Sequence, residues 1–231
     1  MAKILLFLRA AADAETELLN SLCDAAGNMQ SHPGLALRIM HRLEDDPLAN
    51  RKPPHHPADV IVEIKAEPGQ PLKFTHAALA ALLHDARVDR KQSLALTMHE
   101  RLFRPSRHQA ICYHYLMLRR PDFSTADYCD YYVNHHSHFG MITPGIEGYS
   151  QNYIDQEGSQ QLAAALGVSY REVTSISEMQ IASMEKFLAS PAMAEIGPEA
   201  SEDEQRFVDR DQSVMFSSRV VLAMETPTCS P

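Results

Sequence analysis

The chain contains the pentapeptide Asp89-Arg90-Lys91-Gln92-Ser93 and repeats it, with one change, as Asp209-Arg210-Asp211-Gln212-Ser213. Two shorter strings recur in the same order: Phe7-Leu8-Arg9 as Met117-Leu118-Arg119, and Pro33-Gly34-Leu35 as Pro144-Gly145-Ile146. The separation drifts from about 110 to about 120 residues, as loop insertions between two copies of one unit would produce. The repetition therefore predicts a duplicated unit, with copies at residues 1–105 and 106–231.

Composition narrows the class of protein. With 231 residues, 45% hydrophobic and 22% charged, the chain can bury a core of ordinary size. A net charge of −9 argues against nucleic acid, because phosphate binding needs a concentrated basic surface. The apolar start is too short for a secretory signal, and no apolar run reaches membrane-spanning length. Four cysteines without paired spacing are typical of reduced thiols, so we expect a cytoplasmic protein without a membrane partner.

Hydrophobic periodicity gives each copy the order strand, helix, strand, strand, helix, strand. In the first copy we predict strands at 4–9, 35–43, 60–66 and 93–103, and helices at 13–30 and 74–86. In the second copy we predict strands at 110–119, 146–154, 169–175 and 214–223. One helix is predicted to begin at Ser124, with a capping box closed by Asp127. A second helix is predicted at 179–188 and is followed by a short helical region through Phe207. The Pro-rich stretch 44–57, with His55-His56, is predicted to be a loop, either solvated or a lid over the barrel mouth.

This element order is the ferredoxin-like arrangement, a four-stranded antiparallel sheet with two helices on one face. The other face of such a sheet is normally polar and solvated. Strand 110–119 is instead apolar or aromatic on both faces, with Cys112 and Leu116 on one side and Tyr113 and Tyr115 on the other. Two sheets must then face each other. The sequence predicts an α+β fold in which two tandem ferredoxin-like repeats pack sheet to sheet as a pseudo-dimeric α+β barrel within one chain.

The residues best suited to chemistry concentrate in segment 128–139. On a helix, Tyr128, Tyr132 and His136 form one i, i+4 column, and Tyr131 and His135 form the next. An imidazole held among tyrosines can transfer protons near neutral pH. The corresponding stretch 18–27 of the first copy contains no histidine. This asymmetry favours a functional site in the second copy.

Other interpretations of these residues stay open. The histidines could simply lie at the C-terminal end of a helix, where the helix dipole favours them. His135, His136 and His138 could bind a metal with His114, but no His-x3-His pair or carboxylate spacing supports this, and we predict no metal. His114 by itself could be a core residue. For Arg9 and Arg119, at the ends of equivalent strands, we expect salt bridges to the aspartate of the repeated pentapeptide.

Within the second copy the sequence resembles a known family. The run Arg119-Arg-Pro-Asp-Phe-Ser124-x-x-Asp-Tyr128-x-x-Tyr-Tyr132-x-Asn-x-His136 is similar to the opening of an EthD-type domain. The later Pro144-Gly-x-x-x-Tyr149-x-Gln-Asn152 and Phe207-Val-Asp209 are similar to that family's later signatures. The resemblance covers about residues 108 to 225. It implies membership of the dimeric α+β barrel superfamily, whose members pair two ferredoxin-like units.

The resemblance also implies roles for individual residues. The family's helix-end histidine falls on His136, its Tyr-x-Gln-Asn strand on Tyr149, Gln151 and Asn152, and its late acid on Asp209. Tyr132 stands where the family usually has tryptophan, and His138 replaces the proline that often follows the histidine. The first copy departs further from the pattern, as a degenerate partner that completes the barrel would.

The main functional hypothesis is an enzyme without cofactor, acting on a hydrophobic, aromatic or polyketide-like compound. A lyase-type step such as dehydration or cyclisation would use His136 as general acid/base, with Tyr149 and Asn152 stabilising an oxyanion. The surroundings of the substrate would come from a further set of residues: Tyr115, Tyr132, Phe139, His114, His135, His138 and Gln151. The alternatives are a cofactor-free monooxygenase and a non-catalytic binding protein for a small molecule or haem. The sequence leaves homodimer formation open.

Overall fold

The computed structural model describes residues 2–28, 35–50, 57–66, 79–80, 83, 85–106 and 110–224. The Pro33-Gly34 turn, the His55-His56 pair and most of the predicted helix 74–86 lie outside the described residues.

Within these ranges eight antiparallel strands close into one barrel. The strands are β1 (Ala2–Leu8), β2 (Leu35–Arg42), β3 (Val60–Ala66), β4 (Leu94–Arg104), β5 (Ile111–Met117), β6 (Ile146–Ile154), β7 (Ser175–Ile181) and β8 (Val214–Met224). Their order around the barrel is β1-β3-β2-β8-β5-β7-β6-β4. The first four strands thus follow the order β4-β1-β3-β2 and the last four the matching order β8-β5-β7-β6. The predicted α+β barrel is confirmed, and its two sheets also join edge to edge through β2–β8 and β4–β6.

Helices cover the outside of the barrel. They are α1 (Glu15–Asn28), α2 (Thr125–Tyr131), α3 (Ser137–Ile142), α4 (Gln156–Leu166), α5 (Met184–Leu188) and α6 (Pro191–Glu204). A π-helical turn, Tyr132–His136, connects α2 directly to α3. Among the described helices, none has the length and apolar character that crossing a membrane would require.

The barrel interior is filled by side chains from both halves. Alternation along each strand sends Leu5 and Phe7 of β1 inward and Leu6 and Leu8 outward onto α1. The inward apolar layer is completely or almost completely buried and includes Met40, Ile61, Leu96, Met98, Cys112, Leu116, Ile176 and Phe216. Packing of this density stabilises the closed barrel and occupies the space between the two halves.

The repeated pentapeptide makes the same contacts in both halves. Ser93 Oγ accepts a hydrogen bond from Arg9 N (3.0 Å) and donates to Asp89 O (2.7 Å). Ser213 Oγ accepts from Leu118 N (3.0 Å) and donates to Asp209 O (2.6 Å). The serine therefore fastens the loop before the last strand of each half to the end of the first strand.

The expected salt bridges of the strand-end arginines are not formed in that way. Arg9 NH1 lies 3.7 Å from Asp59 Oδ1, so its acidic partner is Asp59 rather than Asp89. Arg119 NH1 donates to the carbonyl of Phe123 (2.6 Å) instead of pairing with Asp209. The reason is that the residue equivalent to Arg9 in the second half is Leu118 and not Arg119. Ser93 accepts a hydrogen bond from Arg9 N, and its counterpart Ser213 accepts one from Leu118 N.

Two predicted elements of the second half are displaced along the chain. The third strand is β7, beginning at Ser175, and not 169–175, because residues 170–172 are exposed rather than alternately buried. The predicted helix 179–188 is wrong over residues 179–183: β7 continues to Ile181, Ser183 caps the helix, and only Met184–Leu188 is helical. The sequence analysis also missed α4, although Asp155 caps its first turn through Gly158 N (3.0 Å) and Gly167 ends it at φ 66°.

Candidate active site

A cavity of about 210 Å³ lies between the outer face of the second-half sheet and the helices that cover it. Its floor is formed by the outward residues of β5 and β6, and its roof by the π-helical turn, α3, α5 and α6. Aromatic, methionine and aliphatic side chains form most of the wall: Tyr113, Tyr115, Met117, Tyr132, Phe139, Ile146, Tyr149, Met179, Phe187, Met193 and Ile196. A concave, mainly apolar space with a few polar groups is typical of a small-molecule site.

His136 reaches this cavity because of how its helix is built. Ser124 caps α2 by accepting a hydrogen bond from Asp127 N (3.1 Å), as the capping-box prediction required. The predicted ring columns are present: Tyr132 lies 5.9 Å from His136 and Tyr131 stacks on His135 at 4.9 Å, centroid to centroid. In the π-helical turn, Gln151 Nε2 donates to Tyr132 O (3.0 Å), which fixes the turn to β6. Such turns often mark functional positions.

A carboxylate holds the imidazole of His136. Its Nδ1 lies 2.8 Å from Asp203 Oδ2 on α6, and both side chains are largely buried, at 11% and 15% exposure. Tyr131 OH donates to the other oxygen of Asp203 at 2.5 Å. An Nδ1–H donor leaves Nε2 as a proton acceptor. Burial lowers the pKa of His136 below its usual 6.5 in spite of the opposing effect of Asp203, so the ring is neutral at pH 7.

Glu204 brings a second proton-transfer group to the same cavity. Its Oε1 lies 3.9 Å from His136 Nε2, and its Oε2 lies 3.9 Å from Arg210 Nε. Burial raises the pKa of Glu204 to about 7, with Asp203 adding to the rise and Arg210 opposing it. At neutral pH this carboxyl group therefore exists in both protonation states. Pairs of groups poised in this way are typical of acid/base sites.

Two tyrosine hydroxyls complete the polar lining. The buried hydroxyls of Tyr115 and Tyr132 have no hydrogen-bond partner of good geometry among the described residues. Burial raises the pKa of both groups well above the usual 10, so both remain protonated donors. Unpaired buried donors are costly unless a ligand satisfies them. Both hydroxyls lie on the cavity wall, where each can donate a hydrogen bond to a ligand.

Tyr149 forms a tightly packed part of the wall. Its hydroxyl accepts a hydrogen bond from Gln151 Nε2 (2.8 Å), and burial raises its pKa to about 12. The ring packs directly on Gly140 of α3: a Cβ at that position would lie 2.6 Å from Tyr149 Cε1. Glycine at position 140 therefore sets the width of the cavity beside Tyr149.

The structure brings only part of the predicted site together. His136, Tyr149, Tyr115, Tyr132 and Phe139 line the cavity. Gln151 lies behind the wall, where it holds Tyr132 and Tyr149. The other four predicted residues lie elsewhere: Asn152, His114, His135 and His138.

These four lie away from the cavity for simple geometric reasons. Asn152 and His114 point to the barrel interior, because they occupy the inward positions of β6 and β5. His135 and His138 are exposed on the outer side of the helix. The predicted oxyanion role of Asn152 therefore has no support from its position.

Sequence reasoning missed Asp203, Glu204 and Arg210 as site residues. The run Glu202-Asp203-Glu204 looks like ordinary acidic surface, and only the fold brings α6 to His136. Arg210 belongs to the repeated pentapeptide, which indicated a scaffold role. It has that role as well, since its NH1 donates to Ser201 Oγ (2.6 Å) on α6.

The cavity residues do not fit a haem. An axial ligand needs an open imidazole nitrogen, but a carboxylate oxygen of Glu204 lies 3.9 Å from His136 Nε2. Two propionates need cations, and among the described lining residues Arg210 is the one arginine or lysine, already facing Glu204.

Comparison with solved structures defines the class of fold. The chain is similar to an anthrone oxidase-like protein, at 10% identity and TM-score 0.59 over 100% of this chain and 96% of the other. It is also similar to a protein from Lactobacillus acidophilus NCFM provisionally named a monooxygenase, at 9% identity and TM-score 0.54 over 97% and 96%. A third is a chlorite dismutase variant from Candidatus Nitrospira defluvii, solved with cyanide, at 9% identity and TM-score 0.53 over 94% and 90%. These proteins share the dimeric α+β barrel fold.

The second half of the chain also matches a family model. Residues 120–211 match the model of the EthD domain. The matched segment contains His136, Asp203, Glu204 and Arg210, whereas Tyr115 precedes it. No curated protein matches the chain in sequence.

Proposed function

We propose that this protein is a cofactor-free monooxygenase that oxidises an activated methylene group of an aromatic, anthrone-like compound. The observation that carries the proposal is the pair of proton-transfer groups, His136 and Glu204, in one apolar cavity. The names of two fold neighbours, anthrone oxidase-like and monooxygenase, support this reaction class over the lyase that the sequence favoured.

His136 is the proposed general base. Its Nδ1–H is held by Asp203, which presents the Nε2 lone pair to the cavity. A neutral imidazole in an apolar site can remove a proton from a methylene made acidic by flanking aryl rings that are conjugated with a ketone. The tyrosine-rich wall fits a flat aromatic ring system, and Tyr115 and Tyr132 can donate hydrogen bonds to the enolate oxygen that forms.

The remaining steps balance without an added cofactor. The substrate carbanion transfers electrons to O2 and forms a C–O bond, giving a peroxide on the former methylene carbon. Loss of the second C–H proton and cleavage of the O–O bond then give a ketone and water. In sum, CH2 plus O2 gives C=O plus H2O, and the substrate supplies all four electrons. Protonated Glu204 is placed to supply the proton for the departing oxygen.

A lyase reaction remains the second candidate, because the same pair of groups favours it. A dehydration also needs a base that takes a carbon-bound proton and an acid that protonates a leaving hydroxyl group. His136 and Glu204 are suited to these two roles without O2. The two candidates differ in oxygen consumption and in the mass of the product.

An oxygen electrode separates the candidates. With anthrone as the probe, the monooxygenase consumes one O2 for each anthraquinone formed, and the product carries one atom of 18O when 18O2 is used. His136→Ala should lower the rate at least about 100-fold, whereas His99→Ala, an exposed histidine on β4, should keep it. Turnover of anthrone analogues without O2 uptake would establish the lyase instead, and equal rates for wild type and His136→Ala would refute both.

We also propose that the two halves of the barrel descend from one duplicated unit, residues 1–105 and 106–231. Support comes from the matching strand orders and the equivalent serine contacts of the repeated pentapeptide. Asp59 and Thr174 make a further pair of equivalent contacts. Asp59 N donates to Leu8 O and Thr174 N donates to Met117 O, at 2.8 Å in both halves. The Asp59 side chain accepts a hydrogen bond from Ala10 N, and the Thr174 side chain accepts one from Arg119 N. The EthD-type half kept the cavity chemistry.

A further inference from the structure

A cysteine, a histidine and a glutamate meet inside the barrel, on the opposite face of the second-half sheet from the cavity. Cys112 and His114 occupy alternate positions of β5, and Glu178 is directly opposite His114 on β7. All three side chains are buried. One ligand-type atom from each residue lies within 4.8 Å of the other two.

Hydrogen bonding fixes the orientation of the His114 ring. Ser218 Oγ uses its proton on Cys112 O (3.3 Å), so toward His114 Nε2 (2.9 Å) it accepts. Nε2 is therefore the protonated nitrogen, and Nδ1 faces Glu178 Oε1 at 3.4 Å. Nδ1 makes no hydrogen bond of good geometry among the described residues. Ring stacking on Phe216, at 5.1 Å between centroids, holds this orientation.

Glu178 presents its Oε1 to the same point. Its Oε2 accepts hydrogen bonds from Lys3 Nζ and from Asn152 Nδ2 (2.9 Å). Its Oε1 faces only the Cys112 Sγ, at 3.9 Å, and His114 Nδ1 among the contacts described. A nitrogen lone pair and a carboxylate oxygen repel each other at this distance unless a cation lies between them. The cation is either a proton on Nδ1 or a metal ion.

We propose that this cluster is a zinc site with Cys112 Sγ, His114 Nδ1 and Glu178 Oε1 as ligands. Sulfur, imidazole and carboxylate are the three ligand types that zinc binds in proteins. Ideal Zn–S and Zn–N/O bonds place tetrahedral ligand atoms about 3.3 to 3.5 Å apart. The Nδ1–Oε1 distance is 3.4 Å, the Sγ–Oε1 distance is 3.9 Å, and all three ligand atoms lie within 4.8 Å of one another, so side-chain movements of about 1 Å bring them to that geometry. Ser218 Oγ accepts the hydrogen bond from His114 Nε2–H and so orients the ring for zinc binding through Nδ1.

Zinc also preserves the charge of the barrel interior. Around the cluster, three cations (Lys3, Arg38 and Lys65) face three carboxylates (Glu63, Glu100 and Glu178). A dication bound by a thiolate and a neutral imidazole carries the same net charge as a thiol beside an imidazolium. Metal binding therefore adds no uncompensated charge to a region where such a charge is very costly.

Zinc content and a cobalt spectrum test this site. The full chain is expressed in medium containing zinc, passed through gel filtration with EDTA, and analysed for metal by mass spectrometry. We expect about one zinc per chain. Cys112→Ser should lower the zinc content at least about tenfold, whereas Cys129→Ser, a half-buried cysteine on α2, should keep it. Cobalt-loaded wild type should show a thiolate-to-metal charge-transfer band that Cys112→Ser lacks and Cys129→Ser retains.

Circular dichroism of each variant shows whether it is folded. The proposal would be overturned if wild type expressed with zinc contained no zinc and its cobalt form showed no charge-transfer band. In that case a proton on His114 Nδ1, and not a metal ion, lies between Nδ1 and Glu178 Oε1. Folded Cys112→Ser with wild-type zinc content would overturn it as well. If Cys112→Ser does not fold, the wild-type cobalt spectrum and its loss on thiol alkylation decide the question.

Discussion

Replacement of Lys3 by methionine should be among the most destabilising single changes in the barrel interior. Lys3 is 0% exposed, and its Nζ contacts three buried carboxylates: Glu63 Oε2 at 2.7 Å, Glu100 Oε1 at 3.4 Å and Glu178 Oε2. Its three partners hold the pKa of Lys3 above the usual value although burial alone would lower it. The ammonium group is therefore a charge that this interior requires.

The expected loss of stability depends on which cationic partners each of the three carboxylates retains. Glu63 retains the bidentate Arg38 (2.7 and 2.8 Å), and Glu100 retains Lys65 at 2.8 Å. Glu178 loses its only lysine contact closer than 4 Å within the described residues and keeps His114 and Asn152. Removing one partner of a buried ion pair costs about 3 to 5 kcal/mol. At about 2 to 4 °C per kcal/mol, Tm should fall by roughly 6 to 20 °C.

Urea unfolding of metal-free protein measures this change, and a double-mutant cycle with Glu178→Gln identifies its cause. Glu178→Gln removes the carboxylate charge that has lost its lysine partner. The free energy of unfolding of the double variant should therefore be about 2 to 3 kcal/mol higher than the sum of the two single losses implies. Lys91→Met, an exposed lysine, should change the free energy of unfolding by less than about 0.5 kcal/mol. A loss below about 1 kcal/mol for Lys3→Met, or strict additivity in the cycle, would refute the reasoning.

Three further predictions concern the cavity. The pKa of Glu204 is about 7 in the folded protein against 4.5 for the free group, so its ionisation removes on the order of 3 kcal/mol of stability as pH rises from 4.5 to 7. Glu204→Gln should therefore be more stable than wild type at pH 8 but not at pH 4. Equal differences in the free energy of unfolding at both pH values would contradict this. The rate of turnover should rise with pH as His136 loses its proton and fall as Glu204 loses its own near pH 7, and Glu204→Gln should remove the falling limb; a wild type without that limb would argue against the acid role. Gly140→Ala should cost about 1 to 3 kcal/mol and weaken ligand binding by displacing Tyr149, whereas Gly197→Ala, whose Cβ meets nothing closer than 4.0 Å, should gain up to about 1 kcal/mol; calorimetry that ranks the two variants in the opposite order would refute the packing argument.

Local sequence patterns predicted the fold well where burial is two-sided or where a cap is present. Strand β5, apolar on both faces, is buried along its whole length, and this feature led to the barrel. The Ser124 cap and the Tyr132–His136 column were read directly from i, i+3 and i, i+4 spacing. The predicted elements were wrong between residues 155 and 188. In this region β7 has the polar residues Ser175, Ser177 and Glu178 at buried positions, so the strand lacks the usual alternation of polar and apolar residues.

The site was harder to predict because its groups come from distant parts of the chain. His136 was identified from its own helix, but Asp203 and Glu204 are 67 and 68 residues away and reach it only through the packing of α6. Asn152 was placed at the wrong face because a family signature does not say which way a strand residue points. The strand register decides this: Tyr149 and Gln151 face outward, and Asn152 faces Glu178 inside the barrel.

An aromatic ligand should bind between the second-half sheet and its helices, beside His136. A crystal structure of the protein with anthraquinone, the proposed product, tests this directly. We expect the ring system against Tyr149 and Phe187, one carbonyl oxygen within hydrogen-bond distance of Tyr115 or Tyr132, and the other end facing His136 Nε2 and Glu204. Anthraquinone bound elsewhere on the barrel, with this cavity closed by its own side chains, would contradict it.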